Sequence, residues 1–346
     1  MINKSEAKII KNWQGDISQP VVSICCITYN HEKYISEAID SFLMQETNFP
    51  FEIIVRDDAS TDNTANIIRR YEREYPKIIK PIYELENGYQ KGIKPLATAV
   101  RKAKGEYIAI CEGDDFWINV DKLQKQVVLL NQYPNINFCF HKAQILNMIT
   151  QQAYENESYI NHDGIISADT IIATLDKLMV PTASIMVRAT IIEDVHNYIT
   201  KRPWLSVGDF YFRIFGVANG GGLYINSTMS VYRYFTPGSW TVSYVNQQTN
   251  KINHAKNAID SFLELDRFLE YKFTAAFSAV TRSMIVGILS DRKIFLKYRW
   301  AFLFTIFKRI QQYRSINLGA AMLYIIIKSQ IKSMAQHFLS FIGYKK

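Results

Sequence analysis

Three short apolar runs, residues 21–28, 51–55 and 106–111, each stop at polar or acidic residues and are each followed by a segment with helical spacing. Apolar, β-branched runs of this length suit parallel strands buried on both faces. Strand and helix alternating in this rhythm build an open α/β sheet with right-handed crossovers. In such a sheet the carboxyl ends of the strands share one edge, and ligands bind there. The polar ends Tyr29-Asn30, Asp57-Asp58 and Asp114-Asp115 are therefore expected to converge, and their convergence points to a nucleotide site.

The connecting segments carry their own signals. Asn30 is a candidate helix cap, and Ile35, Ala38, Ile39, Phe42 and Leu43 then fall on one face. Ser60-Thr61-Asp62 is expected to start a helix with Ile67, Ile68, Tyr71 and Tyr75 inward, ended before Pro76. A strand over 78–83 and a helix over 95–104 follow, with Gly105 closing the helix as a left-handed cap. A further helix begins at Asp121 and points Leu123, Val127 and Leu130 to the core. Later, residues 181–188 read as a strand, Gly208-Asp209 opens a helix, and Asn219-Gly220-Gly221-Gly222 turns into a strand over 223–234.

Composition bounds the rest. With 346 residues, 48% hydrophobic and 21% charged, the chain has a globular composition and room for one large domain with an appendage. Cys25, Cys26, Cys111 and Cys139 all sit in apolar runs without metal-ligand spacing, so reduced core thiols and a cytoplasmic setting are expected. The first twenty residues are polar, and no signal peptide is expected. From 282 onward twelve Lys/Arg face a single acid, Asp291, leaving +11 in the tail and −3 in the remainder of a chain whose total is +8. An acidic body with a basic tail argues against nucleic acid as the partner. The expected division is an N-terminal extension over 1–20, a main domain over 21–245 and a basic helical region over 246–346. In that last region the apolar runs 301–307 and 318–327 are broken by Lys308-Arg309 and Lys328, well short of the ~20 residues a span needs. Aromatic and aliphatic faces among Lys/Arg suggest helices lying on an anionic membrane surface. A helical subdomain that packs on the body or dimerises is the alternative.

The motif Glu112-Gly113-Asp114-Asp115-Phe116-Trp117 carries the most chemistry. Adjacent carboxylates repel unless a positive charge lies beside them. A Mg²⁺-like ion carrying a diphosphate meets that need, since such ions take one or two carboxylates plus phosphate oxygens; a strand-end turn with solvated acids is the plainer alternative. Asp57, ahead of a helix, suits its N-terminus. Trp117 reads as a packing anchor, and the six histidines form no cluster and receive no task.

With these features in place, residues 20–240 resemble the family 2 glycosyltransferases, which have the GT-A fold, a Rossmann-like open sheet that binds nucleotide-activated sugars. The resemblance rests on Ser23-Ile24-Cys25-Cys26-Ile27-Thr28-Tyr29-Asn30, on Val55-Arg56-Asp57-Asp58-Ala59-Ser60-Thr61-Asp62 and on the 105–115 segment, with weaker matches at Gly208-Asp209 and Val231-Tyr232-Arg233. It implies that Tyr29 stacks on the nucleobase, that Thr28 lines the pocket and that Asp58 accepts the imide N–H of a uracil-like base. It further implies that Asp114 holds the ribose, that Asp115 ligates Mn²⁺ or Mg²⁺, and that Asp209 is the general base of an inverting transfer. Glu112 is left as a partner of the metal site or an acceptor contact, and Trp240 as an acceptor or donor cover or an exposed turn aromatic. Arg56 departs from the acid or hydrophobic residue usual before the Asp pair, which keeps the donor base open. The expected reaction moves a sugar from a nucleotide-diphosphate donor, UDP favoured, to a glycan or lipid-linked acceptor of bacterial surface polysaccharide, at the cytoplasmic membrane face. A homo-oligomer stays open. A nucleotidyltransferase would need a glycine-rich basic loop where Tyr29-Asn30-His31-Glu32 stands. A decayed membrane-associated scaffold would not need Asp58, Asp114, Asp115 and Asp209 intact.

Overall fold

The computed structural model describes residues 4–202, 204, 209–239, 241–242 and 247–312. The chain divides into two compact units, Met1–Ile171 with Lys177–Pro237, and Ile172–Asp176 with Gly238–Lys346.

The first unit opens with α1 (Glu6–Ile10), β1 (Val22–Thr28), α2 (Ile35–Leu43), β2 (Phe51–Asp57), α3 (Thr64–Glu74), β3 (Ile79–Tyr83), α4 (Pro95–Val100) and β4 (Tyr107–Glu112). It continues through β5 (Phe116–Trp117), α5 (Lys122–Gln132), β6 (Phe138–Asn147), β7 (Ala153–Glu155), β8 (Gly164–Ile166) and α6 (Ala168–Ala173). The last elements are β9 (Met186–Arg188), α7 (Ile192–Thr200), α8 (Asp209–Val217) and β10 (Gly222–Tyr234). Among the described residues one mixed sheet runs β3-β2-β1-β4-β9-β6-β10-β5, with β7 on β6 and β8 on β10. The β3-β2-β1-β4 portion is parallel. Every residue of β2 is buried, as a strand covered on both faces requires. Pro81, which cannot donate to a ladder, sits on the edge strand β3.

The α/β reading therefore holds, and its local errors have physical causes. Asn30 is not a helix cap: α2 starts at Ile35, and Asn30 turns the chain in the left-handed region at φ 56°. Residues 60–62 precede α3 as a loop, with Asn63 at the N-cap. The helix expected over 95–104 ends at Val100, and Gly105 is not among the left-handed glycines. Gly105 is required for close approach instead, since a Cβ there would lie 2.5 Å from the Ser23 backbone nitrogen. Its N–H donates to Ser23 Oγ at 2.8 Å. Residues 182–184 form a 3₁₀ turn, so only Met186–Arg188 of the strand expected at 181–188 pairs in the sheet. The four cysteines are buried and unpaired. Trp117 is an anchor as expected: its Nε1 donates to the Ala183 carbonyl at 2.9 Å and its ring lies on Phe42.

In the second unit three helices, α9 (Gln248–Phe268), α10 (Thr274–Ser290) and α11 (Leu296–Gln312), pack around Ile259, Leu289, Phe302 and Ile306. Asp260 pairs with Arg309, and Lys251 with Asp291 at 3.1 Å. Among the described residues no helix is long and apolar enough to cross a membrane. The apolar run at 318–327 lies outside the described residues.

Candidate active site

The parallel register sets the tips of β1, β2 and β4 side by side, Thr28 opposite Asp57 and Ile27 opposite Glu112. Beyond the ladder the chains stay joined. Asp58 N–H donates to the Thr28 carbonyl at 3.0 Å, and Gly113 N–H to the Ile27 carbonyl at 2.9 Å. The β1–α2 and β2–α3 loops are laced together as well. Asn30 Oδ1 accepts from Thr61 N–H at 2.8 Å, His31 N–H donates to Thr64 Oγ1 at 2.8 Å, and Asp62 Oδ2 accepts from Glu32 N–H at 3.0 Å. Ala59, next to Asp58, holds φ 61°. A non-glycine residue there stores strain of order 1–3 kcal/mol, a feature that clusters at functional sites.

Asp57 and Asp58 divide their work. Asp57 accepts from the Ser60 hydroxyl and, at 3.3 Å, from Ser60 N–H, so it braces the loop and does not cap α3. Burial holds its carboxyl above the usual carboxylate range. Asp58 is buried and its Oδ1 lies 2.8 Å from Arg56 Nη1. Gly88 N–H donates to Oδ1 and Tyr89 N–H to Oδ2, both at 3.0 Å. Arg56 is buried too, and its Nε donates to Glu84 at 3.1 Å. The unusual arginine thus fixes Asp58, and one lone pair of Asp58 Oδ2 stays outside these bonds. Tyr29, 37% exposed, offers its ring at the same tip.

At the β4 tip, Gly113 packs so closely that a Cβ would lie 2.8 Å from Thr28 Oγ1 and 3.1 Å from His31 Nδ1. Asp115 is fully enclosed, with Oδ1 accepting from Arg233 N–H at 2.8 Å and Oδ2 buried without a partner. Burial first, then Asp114 and Glu112, push its carboxyl well above the usual range, while Arg233 opposes them. Asp114 keeps 12% of its side chain open, and its Oδ1 stands 4.0 Å from His31 Nδ1. Asp114 is thus the member of the pair that faces solvent, and Asp115 stands behind it. Glu112 is half-buried on the same strand end.

Arg233 ties this tip to the rest of the unit. Its guanidinium donates to the Asp114 carbonyl at 2.5 Å and pairs with Glu37 on α2. It also lies over the rings of Phe116 at 4.5 Å and Tyr34 at 5.1 Å. Arg233 follows two register irregularities between β10 and β6, a kind of defect that re-aims side chains. His31, Arg56 and Arg233 had no assigned role in the sequence reading. A buried-strand pattern interrupted by arginine is the signal that marks the last two.

Thr28 Oγ1, His31 Nδ1 and Asp115 Oδ2 are buried without hydrogen-bond partners, and all three belong to the strand tips. Hard carboxylate oxygens with spare acceptor capacity fit a Mn²⁺ or Mg²⁺ ion. Among the described residues no three His, Cys, Asp or Glu converge as a complete cage, so the fit is to an ion that takes its other ligands from elsewhere. Asp209 begins α8, but its side chain lies outside the described residues, as does Trp240.

The family profile described as Glycosyl transferase family 2 matches residues 23–195, half of the chain. An uncharacterized protein of Mycobacterium tuberculosis is 33% identical over 231 residues, 66% of this chain and 62% of that relative. The chain thus spans less than two thirds of that relative's length. The poly(ribitol-phosphate) beta-N-acetylglucosaminyltransferase TarS of Staphylococcus aureus is 33% identical over 114 residues, 32% of this chain and 19% of TarS. The crystal structure of TarS 1-349 in complex with UDP-GlcNAc aligns with TM-score 0.54 and 19% identity over 87% of this chain and 90% of that one. At that identity the likeness speaks for the GT-A fold.

Proposed function

The chain belongs to glycosyltransferase family 2, and from that premise we propose an inverting transfer of one sugar from a nucleotide-diphosphate donor to an acceptor hydroxyl. The observation that carries the reading is the contiguity of the β1, β2 and β4 tips, where Thr28, Asp58 and the Asp114-Asp115 pair share one strand-end edge. Tyr29 stacks on the base, and Thr28 lines its pocket. Asp58, clamped by Arg56, turns its remaining Oδ2 acceptor to an imide N–H, which favours uracil. Asp114, the accessible member of the pair, would hold the ribose, and Asp115, whose Oδ2 is unpartnered, would hold the cation. When bound, a Mn²⁺ or Mg²⁺ ion supplies a Lewis acid against the charge that grows on the leaving diphosphate.

The rest of the chemistry falls to the chain's own residues. An acceptor hydroxyl is a weak nucleophile, and the Asp209 carboxylate takes its proton as it attacks the anomeric carbon, worth about 10²–10⁴-fold. The acceptor class we favour is a glycan or lipid-linked glycan of bacterial surface polysaccharide, in keeping with the similarity to TarS, a poly(ribitol-phosphate) beta-N-acetylglucosaminyltransferase. We assign the catalytic work to 21–245 and a peripheral position at the inner membrane face to 246–346.

Thermal-shift screening of UDP-, GDP- and dTDP-sugars with and without Mn²⁺ tests the proposal. One nucleotide class should raise Tm only with the ion, and Asp115→Asn should abolish that response. A response that ignores the ion contradicts the cation assignment, and no response to any class contradicts the donor site.

A further inference from the structure

Helix α11 has two apolar faces. Phe302 and Ile306 are buried in the core of the second unit, which accounts for one of them. On the other, Leu296, Trp300, Phe304 and Phe307 recur at the i, i+4, i+8, i+11 spacing of a single stripe. That stripe is open: Leu296 is 55% exposed, Trp300 49% and Phe304 64%. A soluble helix that packs by one face has no need of a second aromatic stripe, and exposed apolar patches of this kind mark contact sites.

Charge says what kind of contact. The 296–312 segment contains no acid. Two of its cations are committed inside the unit: Arg309 pairs with Asp260, and Arg299 donates to the Leu289 and Ile294 carbonyls. Lys297 and Lys308 remain: Lys308 Nζ lies over the Phe304 ring of the stripe at 4.7 Å, while Lys297 follows Leu296 in sequence and has its Nζ 5.1 Å from the ring of Tyr298, which packs against the core. Lysines that lay their stems along aromatic surface and carry the ammonium at its rim suit an interface between hydrocarbon and anionic headgroups. A second copy of the chain fits less well. A self-complementary contact through this stripe would bring the same lysines together with no carboxylate from α11 to neutralise them.

We propose that the Leu296–Trp300–Phe304–Phe307 stripe, rimmed by Lys297 and Lys308, is the face that docks on an anionic lipid surface. This rests on the peripheral placement proposed above and gives it an address. The aromatic side chains enter the headgroup boundary while the lysines meet lipid charge, so affinity has an apolar part and a salt-sensitive part.

The test is co-sedimentation of the full chain with phosphatidylcholine vesicles, with and without phosphatidylglycerol. Wild type should bind only the anionic vesicles and release as salt rises. Trp300→Ser with Phe304→Ser should weaken partitioning about tenfold or more. Lys297→Gln with Lys308→Gln should weaken it about fivefold for each lysine. Both pairs should keep wild-type circular dichroism and the same Tm response to nucleotide. If wild type ignores anionic vesicles, the peripheral placement itself fails. If wild type binds and both variants bind as tightly, only this face is overturned and the contact lies elsewhere in the chain. If the aromatic pair instead converts a dimer to a monomer on a sizing column with vesicle binding intact, the occupant is a second copy and the lipid assignment is wrong.

Discussion

Removing the Arg233 guanidinium while keeping its stem, as Arg233→Met, isolates what holds the acidic tip. The variant loses a charged hydrogen bond to the Asp114 carbonyl, worth about 1.5–3 kcal/mol. It loses the ring contacts on Phe116 and Tyr34, about 0.5–1 kcal/mol each. The Glu37 pair adds only about 0.2–1 kcal/mol, because the Glu37 side chain is 54% exposed and screened by water. Together these give a destabilisation of about 3–6 kcal/mol, or a Tm lower by roughly 10 °C or more for a unit of this size. The Arg233 N–H bond to Asp115 is main-chain and survives. Stability should therefore fall while the enclosed carboxylate stays in place, and the ion-dependent nucleotide response should weaken, not vanish. Arg233→Lys keeps the charge without the planar fork and should land between the two. Thermal unfolding by circular dichroism, with urea titration as a second measure, reads the effect. A Tm within about 2 °C of wild type for Arg233→Met would refute the reasoning.

Other expectations follow from single contacts. Burial pushes the Lys122 ammonium down to about 7; its Nζ donates to Gln126 Oε1 at 2.8 Å and lies 3.9 Å from the Trp117 ring. Below that value folded and unfolded chains both carry the proton; between about 7 and the ordinary lysine value of 10.5 only the unfolded chain does, so this group makes stability rise with pH. Lys122→Met should flatten that rise between pH 7 and pH 9 in urea midpoints, and an unchanged slope would exclude the buried lysine as its source. Gly105→Ala drives a Cβ against the backbone of Ser23 and should cost about 2–3 kcal/mol in chemical denaturation, whereas a helix-cap role would have predicted strain from φ alone. Asp209→Asn should lower kcat by about 10²–10⁴-fold with donor KM little changed; equal loss of donor binding would move Asp209 from base to binding residue.

The fold was legible where local pattern and tertiary role agree. The β1, β2 and β4 runs are apolar because both sheet faces are covered, and their polar ends mark the strand tips that form the candidate site. Asn30 and Gly105 were misread because a turn, a cap and a close approach all select the same small or amide side chains. Only the neighbour, Thr61 for one and Ser23 for the other, decides among them. β6 was legible only as the short apolar run around Cys139, since His141, Lys142 and Gln144 interrupt its apolar residues and its full length is explained by its partners β9 and β10. In the site, the residue types were visible and their order of access was not. Asp114 and Asp115 are adjacent in sequence, and it is Arg233, 118 positions away from Asp115, whose main chain receives Asp115 inside. Long-range pairings of that kind have no local signature.

Hydrogen exchange of the full chain, with and without UDP and Mn²⁺, reports on all three strand tips at once. A shared donor pocket predicts slowed exchange together at 28–31, 57–60 and 112–117. Slowing at one of these segments alone, or at none of them while the nucleotide is bound, would contradict it.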